Sequence, residues 1–316
     1  SILLLRQKFP NAEFVVMAHY PEAFDNRYGN KVAQDIFKYP YNHSRFFQFF
    51  WLVRTLSWMF FSYYLPEFIR KRIFKNKLGY FYWADLIVSV GAERINDKYI
   101  YGVLFSEYTY AIIKKINKKL VIFPSTFGPF LYGWTTKLFQ HVFPKIDLVY
   151  ARDQKSYDIC KKLLKTDKNI VKTSDVAIFQ SWEDKKNEFK KKYNKPIIGI
   201  SVMKWIYVAN IEDTAYSNYA SYVDQMVKLI DEILLKYNVH VILYPTNFPV
   251  HGGKGDDVEV CEEICRKCNR PYDVSYLNDL ISPHEFKSML SASEINIVTR
   301  MHACILSTSA YIPTIG

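Results

Sequence analysis

The sequence predicts an α/β protein built from two doubly wound, Rossmann-like domains that face a cleft. Short apolar runs alternate with amphipathic segments along the whole chain, the mark of β-α-β units on parallel sheets. The series breaks once, at the polar, lysine-rich stretch WEDKKNEFKKKYNKP (182–196), and then restarts. At 316 residues with 49% hydrophobic side chains, the chain can fill two cores, which excludes a disordered polymer.

The first domain is expected over residues 1–185. Its opening, SILLLRQKFPNAEFVVMAHY, reads as the end of a helix, a turn at Pro10-Asn11 and a strand at 13–18. The chain is therefore expected to enter the domain after its first strand and most of its first helix. Further strands are predicted at 85–90, 119–124 and 146–151, with helices at 103–117, 131–142 and 154–164. An aromatic insertion, 43–78, interrupts the series with RFFQFFWLVRTLSWMFFSYYLPEFIRKRIFK at 45–75. Arg54, Gln48, the serines and Pro66 argue against a membrane span there. The plain reading is a pair of buried or partly buried helices. The functional one is an interfacial patch whose aromatics enter a bilayer surface while Arg70, Lys71, Arg72, Lys75 and Lys77 meet anionic lipid.

The second domain is expected over 196–316, clipped at its end. Strands are predicted at 197–202, 240–244, 272–275 and 294–298, with helices near 217–236, 256–268 and 284–291. No internal repeat of fixed period is present. Sheets of this kind bind ligands at the carboxyl ends of their strands, so chemistry is sought in the loops that follow each strand.

The formal net charge of +11 fits nucleic acid, an anionic membrane or small anionic substrates without choosing among them. Five cysteines do not form a disulfide framework, and no secretory signal is visible, so a cytoplasmic protein is expected. CEEICRKC (261–268) has the C-x3-C-x2-C spacing of an iron–sulfur motif. On the helix that its flanks imply, however, Cys261, Cys265 and Cys268 form one buried stripe. HGGKGDD (251–257) is a glycine-rich turn before that helix. It reads equally as an anion-binding loop and as a loop capped by Asp256, and it lacks nucleotide-triphosphate spacing. Asp153 is expected to cap the helix that Gln154 opens. Lys204 should project from the end of the strand GISV. Arg300 and His302 flank Met301 where the last long strand hands over to a helix, an unusual place for two chemically active side chains.

Taken in order, these segments resemble the polysaccharide pyruvyltransferase family. The resemblance runs through ADLIVSVGA (84–92), PSTFGPF (124–130), YARDQKS (150–156) and TSDVAIF (173–179). It continues through GISVMKW (199–205), YPTNFPVHGGKGDD (244–257) and VTRMHACILSTSAYIPTIG (298–316), with Thr-Arg-x-His the most telling element. Gly91-Ala92-Glu93 stands where the family has a triple glycine, and Lys204 where it usually has arginine.

The resemblance implies a two-domain fold of the glycosyltransferase-B type. It also implies transfer of the enolpyruvyl unit of phosphoenolpyruvate to a sugar of a surface glycan or its lipid-linked precursor, giving a pyruvate ketal. Arg300 would fork onto an anionic group of the donor, Lys204 would add a second positive charge, and the helix at Met301 would offer backbone N–H groups. His302 is the implied general acid at the donor's methylene carbon. Asp97 would orient or deprotonate the acceptor hydroxyl, and Gly91 and Ser125 would line the substrate site from the first domain. No cofactor and no metal are expected. The expected partners are phosphoenolpyruvate, a sugar or lipid-linked oligosaccharide and a peripheral membrane contact, with no nucleic acid. Two other readings stay open: a nucleotide-sugar glycosyltransferase on the same scaffold, and a non-catalytic glycan-binding member.

Overall fold

The computed structural model describes residues 2–19, 21, 31–38, 40, 43–90, 93, 95–204, 212–248 and 257–316, with backbone alone over 212–219. The chain divides into two compact units, Ser1–Asp175 and Val176–Gly316.

The first unit opens with α1 (Ile2–Lys8) and a separate parallel pair, β1 (Val15–Ala18) and β2 (Lys31–Gln34). The aromatic insertion folds as α2 (Arg45–Tyr64), α3 (Glu67–Ile73) and α4 (Lys75–Trp83). Then come β3 (Leu86–Ser89), α5 (Ile100–Lys115), β4 (Lys119–Ser125), α6 (Gly133–Val142), β5 (Leu148–Ala151), α7 (Gln154–Leu164) and β6 (Ile170–Lys172). The four strands β3 to β6 pair in chain order and are all parallel. Asp153 caps α7, accepting from the Ser156 N–H at 2.7 Å. One core joins this sheet to α5, α6 and the inner side of α2, with Leu78, Ile112, Leu120, Phe139 and Val149 fully buried.

The second unit holds α8 (Lys186–Tyr193), β7 (Ile197–Ser201), α9 (Glu212–Lys236), β8 (His240–Tyr244), α10 (Asp257–Lys267) and β9 (Val274–Tyr276). It closes with α11 (Pro283–Leu290), β10 (Ile295–Val298), α12 (Met301–Thr308) and β11 (Thr314–Ile315). The sheet is wholly parallel in the order β11-β10-β7-β8-β9. From β7 the chain builds outward through β8 and β9, then returns to lay β10 and β11 on the other side. The winding therefore reverses between β7 and β10, the place where such sheets open a ligand crevice.

Local chemistry explains several of these elements. The strand HVILY is buried at every residue, as a central parallel strand covered on both faces must be. Ser282 and Glu285 form a reciprocal capping box at the start of α11, with Pro283 in the first turn. The lysine-rich stretch 182–196 lies within the second unit and carries α8, whose Phe189 is buried in the core under the sheet. Tyr193 at the end of α8 stacks on His240 with ring centroids 4.0 Å apart, and His240 Nε2 meets Ser275 Oγ at 2.9 Å. Burial lowers the His240 pKa to about 4, so this contact is made by a neutral ring.

Gly199, in the middle of β7, marks a close approach of chain segments. A Cβ there would lie 2.7 Å from Tyr244 and 2.8 Å from Ser293 Oγ, and would collide with the Asn296 amide oxygen. Neighbouring strands and a buried polar side chain leave none of these atoms room to yield. Gly199→Ala is expected to destabilise the protein by about 3 kcal/mol or more, read by urea unfolding. A midpoint equal to wild type would mean that the site is looser than this.

Candidate functional site

The second unit's chemistry gathers where β7, β8 and β10 end, and Asp257 organises it. Asp257 opens α10 and its carboxylate is fully buried. Oδ1 accepts from the Lys204 backbone N–H at 2.8 Å and from Arg300 Nη2 at 2.8 Å. Oδ2 accepts from the Asn247 N–H at 3.0 Å and from the N–H and hydroxyl of Thr246, both at 3.3 Å. One side chain thus ties together Lys204 after β7, Thr246 and Asn247 after β8, and Arg300 at the turn between β10 and α12. A buried carboxylate is tolerated because each oxygen is hydrogen-bonded and a guanidinium balances its charge.

Arg300 is the N-cap residue of α12 and offers no side-chain cap to it. Its backbone is extended, and its carbonyl accepts the first helical bond from Cys304 at 3.0 Å. With Nη2 held by Asp257, Nε is buried and finds no partner among the described residues. Thr299, one residue earlier, donates its hydroxyl to the Ser201 carbonyl at 2.8 Å and so stitches β10 to β7 across the switch point. Tyr222 from α9 closes the base. Its hydroxyl accepts from the Met203 N–H at 3.2 Å, and burial raises its pKa.

His302 stands exposed on the first turn of α12, with no hydrogen bond or ion pair among the described residues. Met301 beside it is also exposed. Lys204 differs from the expectation of a free second cation. Its ammonium pairs with Glu259, in the first turn of α10, and the lysine side chain is largely covered while Glu259 is well exposed.

The corresponding loops of the first unit are held just as firmly, and here two expected site residues take other places. Asp97 was expected to act on an acceptor hydroxyl. It is buried, and Oδ2 accepts from the N–H groups of Leu131 and Tyr132, the latter at 2.8 Å, and from Thr135 Oγ1 at 3.2 Å. Those bonds satisfy donors at the start of α6, so the carboxylate serves as an anchor between two loops. Ser125 is buried with its hydroxyl turned back onto the Phe123 carbonyl at 2.7 Å. Gly91, Trp205 and the loop 251–256, including Asp256, lie outside the described residues.

Arg152 links the same edge, reaching Thr126 Oγ1 at 2.5 Å, Glu93 at 2.7 Å and Asp175 at 3.1 Å. Cys261 and Cys265 lie on α10 and Cys268 directly follows it, none of them in a disulfide, and burial pushes Cys265 and Cys268 up to about 12, which leaves both protonated. Among the described residues, no group of three or more His, Cys, Asp and Glu side chains could hold a metal ion.

Residues 3–316 match the family model described as polysaccharide pyruvyl transferase. The chain belongs to that family. A polysaccharide pyruvyl transferase is a transferase, and the switch-point cluster around Asp257 is its candidate active-site edge in the second unit. No curated protein matches the chain at significant similarity.

Solved structures agree on the fold. A Listeria monocytogenes protein assigned as a UDP-N-acetylglucosamine 2-epimerase is 14% identical with a TM-score of 0.57, over 98% of this chain and 73% of its own. A second UDP-N-acetylglucosamine 2-epimerase is 12% identical with a TM-score of 0.57, over 99% and 72%. An S. aureus MnaA–UDP co-structure is 14% identical with a TM-score of 0.46, over 73% of this chain and 56% of its own. At such identities the first two establish a GT-B-like α/β fold with parallel sheets and nothing about ligands.

Asp257 and Glu107 were not singled out from sequence. An acid pair at 256–257 shows that a carboxylate opens α10, but not which of the two points inward. Glu107 had no signal beyond its place on the apolar side of α5. It is fully buried, and neither carboxylate oxygen finds a partner among the described residues. Burial, with the nearby Asp97 charge second, raises its pKa from 4.5 to about 9. The native state therefore holds this proton, and the stability linked to it is complete below pH 4.5 and lost as the pH rises through 9. Glu107→Gln should remove that slope and stabilise the protein by about 3 kcal/mol at pH 7. Unfolding free energies measured from pH 5 to 9 test this, and equal slopes in both proteins would refute it.

Proposed function

We propose that this pyruvyl transferase takes its unit from phosphoenolpyruvate and sets it on two hydroxyls of a sugar as a cyclic ketal. The acceptor is a sugar of a surface glycan or of its lipid-linked precursor. The observation that supports this most is Arg300: its Nη2 is held by Asp257, while its buried Nε–H finds no partner among the described residues. A buried, unsatisfied donor on a cation carries a penalty of about 1–3 kcal/mol or more, which an arriving carboxylate or phosphate relieves. The first-turn N–H groups of α12, uncapped by Arg300, add a positive helix end at the same place.

Lys204 contributes as a second cation once it exchanges Glu259 for the ligand. Glu259 is exposed, and pairs with an exposed partner are worth only about 0–1 kcal/mol, so a doubly charged anion displaces it readily.

With the donor seated, the imidazolium of His302 gives a proton to the methylene carbon. The C=C electron pair forms the new C–H bond and leaves the central carbon electrophilic. A sugar hydroxyl adds there and loses its proton. The C–O bond to phosphate then breaks, its electrons leaving with inorganic phosphate, and the second hydroxyl closes the ring. Donor plus diol give ketal plus hydrogen phosphate with every atom and electron accounted for. Asp97 and Ser125 act in this scheme only by fixing the loops that carry them.

In the full-length enzyme, Arg300→Ala is expected to raise the KM for phosphoenolpyruvate about a hundredfold, the loss of a charge-assisted fork. His302→Gln should leave donor binding by calorimetry near wild type and lower kcat for phosphate release by ~10²–10⁴. Phosphate release near the wild-type rate in either variant would overturn the assignment. Thermal protection by UDP, with none from phosphoenolpyruvate, would favour a nucleotide-sugar donor instead.

A further inference from the structure

The longest apolar helix of the first unit is turned inside out. On α2 the polar residues Thr55 and Ser62 are buried, whereas the phenyl rings point outward. Ser62 Oγ bonds the Trp58 carbonyl at 2.5 Å and also meets the Tyr108 hydroxyl. Trp51 and Trp58 pack on Phe105 and Tyr108 of α5, each pair at 5.7 Å. The opposite stripe carries Phe46, Phe49, Phe50, Phe60 and Tyr64, and Phe68 of α3 extends it. Their exposures run from 54% for Phe50 to 75% for Phe68. The spacing of three and four residues holds these rings on one side for about 30 Å of helix. A helix in contact with water alone would reverse this arrangement.

Charge complementarity indicates what covers the stripe. Between residues 43 and 83 there are seven Lys or Arg and a single acid, Glu67. Arg70 is spent internally, donating to the carbonyls of Ser62 at 2.6 Å and Leu65 at 2.7 Å, where it closes the end of α2. Arg45, Arg54, Arg72 and Lys75 remain exposed around the aromatic stripe. Aromatic rings with cations beside them are the composition of a helix lying in a bilayer's headgroup region. Among the described residues no helix is long and apolar enough to cross a membrane, so a spanning role is not available to α2.

We propose that the outward face of α2, continued by α3, docks the protein on an anionic lipid bilayer, its aromatics in the interface and its arginines on lipid headgroups. This contact is independent of the donor assigned above. A lipid-linked acceptor would be presented on such a surface.

Flotation with vesicles of phosphatidylcholine alone, and with half phosphatidylglycerol, tests the proposal on the full-length protein. Wild type is expected to bind the anionic vesicles, and less so as salt rises. Phe46→Ser with Phe50→Ser should abolish binding. Arg54→Glu with Arg72→Glu should weaken it by about fivefold or more per charge removed. All four side chains are exposed, so thermal unfolding should match wild type and separate lost docking from lost folding. Vesicle binding unchanged in the phenylalanine pair overturns the proposal. So does an absence of vesicle binding, together with a dimer in sedimentation velocity that the same pair dissociates, because the stripe would then join two copies.

Discussion

The Asp257 carboxylate lies buried where β7, β8 and β10 end, and a charge in that position must be satisfied on every side. Its donors come from Lys204, Thr246, Asn247 and Arg300, residues on three separate loops. None of these four residues can leave Asp257 without weakening the satisfaction of its charge, and stranding such a charge typically costs about 3–5 kcal/mol. These four residues are therefore tied to one another before any ligand arrives. Arg300 is held there through Nη2, while its Nε finds no partner among the described residues.

The first unit reaches the same end by different chemistry. Arg152 is the largely buried hub there, and its guanidinium gathers Glu93, Thr126 and Asp175. Asp97 fastens the loop after β3 to the start of α6, and a parallel bridge between Ile95 and Phe127 adds a backbone link. In each unit an ion buried at the carboxyl edge replaces the regular hydrogen bonds that loops lack. Glu107 is the exception. Burial keeps its proton on, its oxygens find no partner among the described residues, and the first unit's stability depends on that proton.

Much of the fold was legible because parallel sheets write themselves into sequence as blocks. HVILY has one reading, and its strand occupies residues 240–244 as expected. The helix opened by Asp153 was equally plain, since the cap, its N–H partner and the apolar stripe are all local. Interactions that depend on distant residues were not legible. Lys204 meets Glu259 and Arg300 meets Asp257 only because β7, β10 and α10 converge, and nothing near any of these residues announces the partner. Asp97 and Ser125 have the right types for catalysis, yet Asp97 Oδ2 and the Ser125 hydroxyl are hydrogen-bonded within the loops, which no local pattern announces. The lysines of 182–196 hid a short helix, because a single buried Phe189 anchors it. On α2 the sequence left buried and interfacial readings open, and only the direction of the rings separates inner from outer face.

The proposed function depends on Arg300 offering an anion the Nε–H that has no partner among the described residues, while Asp257 keeps hold of Nη2. A crystal structure of the full-length protein soaked with phosphoenolpyruvate measures this directly. The account predicts a carboxylate or phosphate oxygen within hydrogen-bond distance of Arg300 Nε, the Asp257–Arg300 pair intact, and the donor's methylene carbon facing the His302 ring. Phosphoenolpyruvate bound elsewhere, or an Arg300 that leaves Asp257 without touching the ligand, would contradict it.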